Sequence, residues 1–264
     1  MITDLALRTT EGRQTWRPHR ELFNARAHDV TPLTGDVAEA FVSRHHYAAS
    51  CSPTAHPFGL YERGELVGVA VFGPLPSMNA HRKVFPTLAT DEGVTLGRFV
   101  LTESVRFNAE SWFVARCFDH LRERGVIAIE SCADPIPRRR ADGTVIKPGH
   151  IGQIYQATNG AHIGRTNRAT LRLLPDGTCL SNRTQGKLVR GERGDGRAVT
   201  QLVRFGATPP APGEDLKEWL RFWRPRLTTK LRHPGNYRYL WCLDKRRRRE
   251  VLRFDTHPYP RIEK

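Results

Sequence analysis

A mixed α/β sheet flanked by helices, with a basic insertion before its closing strand, is the fold this sequence predicts. Three observations carry that expectation. Periodic segments run helix, hairpin, strand, helix, strand, helix, strand, insertion, strand. The stretch "VIAIESCADP" is a near-continuous apolar run, the kind buried on both faces of a sheet beside parallel neighbours. Finally, the strands at 95–101 and 126–132 are joined by a single helix at 109–124, the connection that parallel strands need.

The elements follow in order. Residues 1–31 read as a polar leader with little periodicity. "TGDVAEAFVSRHHYAAS" predicts a helix, with Thr34 or Asp36 at its start and Val37, Ala40 and Phe41 on one face. "FGLYERGELVGVAVFG" predicts a hairpin turning at Gly64. "PLPSMNAHRKVFP" reads as a proline-bounded loop. The 109–124 helix buries Trp112, Phe113, Ala115, Cys117 and Phe118 and ends at Gly125. "RRRADGTVIKPG" reads as a basic loop, "HIGQIYQATNG" as a short helix stopped by Asn159–Gly160, and "AHIGRTNRATLRLL" as further strand. Residues 175–235 look inserted, rich in Gly and Arg, with helices around 183–190 and 197–205. "YRYLWCLDKRRRREVLRF" alternates like a closing strand and carries four consecutive arginines. The parts expected are therefore a leader at 1–31, a core at 32–174, a basic helical insertion at 175–235 and a closing strand with a basic tail at 236–264.

A chain of 264 residues can bury one good core and a sizeable elaboration. No apolar run is long enough to span a membrane, and the first residues carry no signal-peptide pattern. Five scattered cysteines without a CxxC pair fit reduced thiols in a cytoplasmic protein. Charge is more informative. Residues 1–134 hold 14 Lys/Arg against 16 Asp/Glu, whereas residues 135–264 hold 28 against 11. The one-sided, arginine-rich half predicts a polyanion partner, with double-stranded DNA the usual one.

Ligands in open sheets of this kind sit beyond the carboxyl ends of the strands. Leu101 to Asn108, Ser131 to Asp134 and the 150–159 helix should therefore surround one cleft. Phosphate-cradling loops before helices usually carry glycines, and Thr102 to Asn108 has none.

The segments "LGRFVLTESVRFNAESWFVAR", "SCADP" and "GHIGQIYQATNGAHIGRT" resemble a divergent branch of the GCN5-related N-acetyltransferase fold, the Mom family of bacteriophage DNA-modification proteins. The resemblance covers roughly residues 36–172 and the closing strand near 237–243. It implies an acetyltransferase-like fold and conversion of adenine in phage DNA to an N6-carbamoylmethyl or related form that blocks host restriction. It also implies a small-molecule donor, acetyl-CoA or another acyl donor, held at Asn108, Ala109, Glu110 and Ser111, where "RFNAES" replaces the usual glycine-bearing loop. Iron has been suggested for the family. Histidines 45, 46, 56 and 150 with Asp134, Cys132 and Glu110 are the residues that could assemble an iron or zinc site, although none has HExxH or CxxC spacing.

Individual residues support two readings each. Tyr155 is a phenol that stays protonated, with a pKa of about 10, and suits a general acid; otherwise it is a half-buried core aromatic. Asp134 ends a buried strand and either serves as a general base or caps an Asp-Pro turn, with Ser131 three residues before it. Arg98 interrupts an apolar strand and faces either substrate or a carboxylate; simple alternation sets it on one face with Leu96 and Val100. His46 and Tyr47 close the first helix, where imidazole either acts as a base or offsets the helix dipole, and the sequence leaves open whether His45 or His46 faces inward. Arg138, Arg139 and Arg140, with Arg183, Lys187 and Arg190 and with Lys245, Arg246, Arg247, Arg248 and Arg249, predict a phosphate-tracking surface. Trp219, Trp223, Tyr237 and Tyr239 read as core. Modifying a paired amine would require flipping the base, and Tyr47 or Phe107 would stack on it.

The leading expectation is a cytoplasmic, membrane-free transferase that alters the N6 amine of adenine in phage DNA. The alternatives are an acetyl-CoA-dependent N-acetyltransferase acting on another hypermodified base, protein or small amine, and a non-catalytic DNA-binding protein.

Overall fold

The computed structural model describes residues 5–10, 13–18, 23–46, 51, 53–106, 108–192 and 196–261. It divides into two compact units, the first made of 1–135, 147–165 and 236–264, the second of 136–146 and 166–235.

The first unit is built on a seven-stranded sheet. In chain order its strands are β3 (His28–Pro32), β4 (His56–Glu62), β5 (Glu65–Gly73), β6 (Gly93–Leu101), β7 (Ala128–Ala133), β10 (Ala161–Arg165) and β13 (Tyr237–Cys242). Their spatial order is β10-β13-β7-β6-β5-β4-β3, and only β6 and β7 run parallel. The residues assigned to a polar leader thus contribute an edge strand, and ahead of it β1 (Leu5–Thr10) pairs with β2 (Arg13–Pro18) as a separate hairpin.

Helix α3 (Ala109–Glu123) crosses from β6 to β7 as its spacing predicts. It buries Phe113, Val114, Cys117, Phe118 and Leu121 against alternate sheet residues such as Phe72, Ile129, Tyr239 and Trp241. Short helix α4 (Gln153–Ala157) contributes Tyr155 to the same core and ends, as expected, at Asn159 with φ 58°. On the opposite face α1 (Gly35–His45) covers Val69, Val71 and Val100. The expected proline-bounded loop instead holds α2 (Met78–Val84), because Ser77 accepts the Ala80 N–H and caps it. The four-arginine run lies outside the closing strand, in a 3-10 turn and in α8 (Arg248–Val251).

The second unit has a core of its own. Helices α5 (Asn182–Arg190), α6 (Gly196–Val203) and α7 (Leu216–Leu227) bury Leu188, Ala198, Leu202, Trp219 and Leu220. Two antiparallel ribbons complete it: β8 (Arg138–Arg139) with β9 (Val145–Lys147), and β11 (Ala169–Leu173) with β12 (Thr229–His233). The stretch expected as a basic loop is therefore a hairpin, and "AHIGRTNRATLRLL" splits between two sheets. The basic unit starts earlier than residue 175, since 136–146 and 166–174 belong to it.

Candidate active site

The junction of β6 and β7 sets the site. Their parallel register covers only Gly93–Thr95 against Ala128–Glu130. One further link follows, from the Ser131 hydroxyl to the Leu96 carbonyl at 3.0 Å. Past that point β6 pairs only with β5 and β7 only with β13, so a notch opens at their carboxyl ends. Ser131 is fully buried and its proton is committed to Leu96. That makes it the stitch at the base of the notch rather than a reacting group, which corrects its expected catalytic place.

Gly97 re-aims the strand. The pairing steps from Val71–Arg98 to Phe72–Leu96, so Gly97 is the extra residue of a β-bulge. Leu96 consequently faces the α3 core while Val100 faces α1. Arg98 stands opposite Val71 and shares the α1 face with Val100 but not with Leu96, contrary to simple alternation.

His46 caps the C-terminus of α1, its N–H donating to the Val42 carbonyl at 2.9 Å. Burial first, then the nearby cations Arg98 and Lys147 and the ring of His150, lower its pKa to about 3. His150 is similarly lowered to about 4 by burial and Lys147, with Asp134 opposing. His46 is thus the histidine of the His45–His46 pair that couples to Arg98, Lys147 and His150.

Asp134 is buried, and Lys147 Nζ reaches its Oδ2 at 2.8 Å. The Asp134 carbonyl accepts the His150 N–H at 2.8 Å, tying strand end to loop. Lys147 went unnoticed in the sequence because it sits in "TVIKPGH", which reads as one more basic loop residue. Only the hairpin geometry brings it back to Asp134.

Tyr155 packs among aromatics, with ring centroids 6.2 Å from His150, 5.4 Å from Tyr239 and 5.5 Å from Trp241. It is both a core aromatic and a neighbour of the imidazole cluster. Gly152 makes that possible: at φ +79° it starts α4, and a Cβ there would lie 2.6 Å from the Tyr155 ring. Cys132 offers no nucleophile, because burial and then Glu130 push its thiol up to about 12. Tyr47 and Phe107 lie outside the described residues.

The start of α3 suits a pyrophosphate poorly. Asn108 is left-handed at φ 72° and gives no side-chain cap, and Ala109 is fully buried. Ser111 turns its hydroxyl back to the Asn108 carbonyl at 3.3 Å. Glu110 occupies the first turn, so a carboxylate already sits at the positive helix end. The residues present do not fit the coenzyme A pyrophosphate. Metal ligation also lacks a constellation: among the described residues no three His, Cys, Asp or Glu side chains gather as ligands.

The basic residues divide. Arg139, Arg140, Arg183, Arg190, Lys245, Arg246, Arg248 and Arg249 are exposed and Lys187 is half-buried. Arg138 is buried, with Nη1 donating to the Ile136 carbonyl at 2.6 Å, so it drops out of the expected phosphate surface. Arg190 pairs with Glu192 and Arg247 with Glu250, which weakens their claim. No helix among the described residues is long and apolar enough to cross a membrane.

Several solved acetyltransferases are similar at low identity. A tandem protein of this class from the clavulanic acid biosynthesis pathway is 9% identical over 82% of this chain and 99% of its own, with a TM-score of 0.42. An N-acetyltransferase of Staphylococcus aureus is 10% identical over 82% and 99%, with a TM-score of 0.37. One from Escherichia coli, in complex with coenzyme A, is 14% identical over 41% of this chain and 64% of that chain, under two thirds of its length, with a TM-score of 0.30. Among curated proteins none matches. The model of the Mom protein family matches residues 27–261, nearly the whole described core and the basic unit with it, and the chain belongs to the Mom family.

Proposed function

We propose that this chain modifies the N6 amine of adenine in double-stranded phage DNA, attaching a carbamoylmethyl or related acyl group that blocks host restriction. The observation that carries the reading is the cluster of half-buried His46, Arg98, Lys147 and His150 around buried Asp134 at the β6–β7 notch. Attaching carbon to N6 forms an N–C bond while the donor loses its leaving group and the amine gives up one proton. Each event has a matching group. The Arg98 and Lys147 cations stabilise negative charge growing on the donor. Neutral His46 accepts a hydrogen bond from an N6–H and orients the lone pair. Asp134, fixed by Lys147, takes the departing proton, and the Tyr155 phenol donates one to the leaving group. The target base leaves the helix to reach this recessed cluster, a cost of a few kcal/mol. Exposed Arg139, Arg140, Arg183, Lys245, Arg246, Arg248 and Arg249 hold the phosphates meanwhile.

Plasmid from cells making the protein tests this. Wild type should protect restriction sites that contain adenine and leave sites made only of guanine and cytosine open to cleavage. Lys147→Met should remove the protection. Equal cleavage of all these plasmids at adenine-containing sites would overturn the proposal.

A further inference from the structure

We infer that the β11–β12 ribbon is a docking surface for duplex DNA. The inference deepens the proposed function and rests on its DNA reading. It draws on residues that none of the sequence motifs singles out.

Register pairs Thr170 with Arg232 and Arg172 with Lys230. Residues opposite one another in an antiparallel pair share a face, and so do residues two apart along a strand. Arg168, Thr170, Arg172, Lys230 and Arg232 therefore line one side of the ribbon. Arg168, Thr170, Lys230 and Arg232 are exposed and Arg172 is half-buried. The other side carries partly buried Leu171, Leu173 and Leu231 and buried His233, with Ala169 and Thr229 exposed at its ends. One face thus turns inward, and the other holds four cations, one hydroxyl and no carboxylate.

This arrangement is costly without a partner. Arg172 and Lys230 are directly opposite, and like charges so placed destabilise a ribbon. None of the four cations forms an ion pair or a side-chain hydrogen bond with another described residue. Some arginines elsewhere differ: Arg190, Arg204, Arg221 and Arg247 each meet a carboxylate. The ribbon's outer face thus carries four cations without a carboxylate partner among the described residues.

Its shape suits one polyanion. Two five-residue strands span about 17 Å and lie about 5 Å apart. A ribbon of that size enters the DNA major groove, roughly 12 Å wide, with cations at both margins to meet the phosphates. At its end Arg168, Thr170, Arg232, His233 and Pro234 line an open concavity of about 450 Å³, which fits a phosphate under two guanidinium groups. The deep major groove of A-form RNA would not admit it.

Equilibrium binding of the full chain to a labelled duplex tests the assignment over a salt series. Lys230→Gln/Arg232→Gln is compared with Arg82→Gln/Lys83→Gln, which removes equal charge from exposed positions on α2. The ribbon variant should bind about tenfold more weakly, and its log–log salt slope should fall by about 2, whereas the α2 variant stays within about threefold of wild type. Without DNA, the ribbon variant should melt no lower than wild type, which separates lost contacts from lost folding. Equal weakening by both variants would overturn the ribbon assignment and leave DNA binding standing. Tighter binding to an RNA hairpin than to duplex DNA would overturn it too. A wild-type chain that binds no duplex even at low salt would instead sink the DNA reading beneath it.

Discussion

Neutral histidine beside two cations is the feature with the clearest consequence at the scale of single residues. Burial and the charges of Arg98 and Lys147 lower His46 to about 3, and burial and Lys147 lower His150 to about 4, against an ordinary value of 6.5. Asp134 faces His150 and works the other way, without reversing the direction. Both groups are depressed bases, so the unfolded chain binds protons before the folded one does as pH falls. Stability contributed by the neutral rings is present above about pH 6.5 and is lost on the way down towards pH 4 to 3. Urea melts should accordingly lose on the order of 2 kcal/mol per ring between about pH 7 and about pH 4.5. His46→Gln should flatten that dependence. An unchanged acid slope in His46→Gln would show that other groups set it. A ring this reluctant to take a proton serves better as a hydrogen-bond acceptor than as the final base, and that leaves the proton to Asp134.

At the scale of elements the site depends on two irregularities in the sheet. The parallel ladder between β6 and β7 stops after Thr95 and Glu130, and the Gly97 bulge swings Arg98 to the α1 face. Helix α3, the hairpin and the short α4 were all legible from periodicity, Gly64 and Asn159, since local patterning fixes such elements. The bulge was not, because a period-two pattern carries no mark of one extra residue. Nor was α2, hidden between prolines where Ser77 alone signals its start. Glu130 interrupts an otherwise apolar strand, and its partner lies over a hundred residues away. Arg238 donates from Nε and Nη2 to Glu130 Oε1 at 2.8 and 2.7 Å. Breaking a buried pair strands one charge, so Glu130→Ala should cost about 3 to 5 kcal/mol in chemical denaturation. A loss under about 1 kcal/mol would mean that water reaches Arg238 and that β13 is held to β7 by its ladder alone.

For the whole molecule, the charge asymmetry visible in the sequence corresponds only in part to a structural division. The second unit takes most of the basic half, but its boundary could not be read at 175, since 136–146 and 166–174 join it through strand pairing that no local pattern encodes. Long-range pairing likewise explains the missed Lys147, whose significance depends on where the β8–β9 hairpin returns. Asp134, Arg98, His46 and Tyr155 could be nominated from residue type and place: a carboxylate ending an apolar strand, a guanidinium within one, an imidazole at a helix end and a phenol on the helix after Asp134. Family resemblance then supplied the chemistry that spacing alone does not. The most direct test is mass spectrometry of nucleosides from the DNA of cells making the protein, in wild-type, Asp134→Asn and Tyr155→Phe forms. A heavier deoxyadenosine should appear with wild type and fall by about a hundredfold or more in both variants, as expected when a positioned acid or base is removed. Unshifted deoxyadenosine with wild type, or equal yields from all three proteins, would contradict the account.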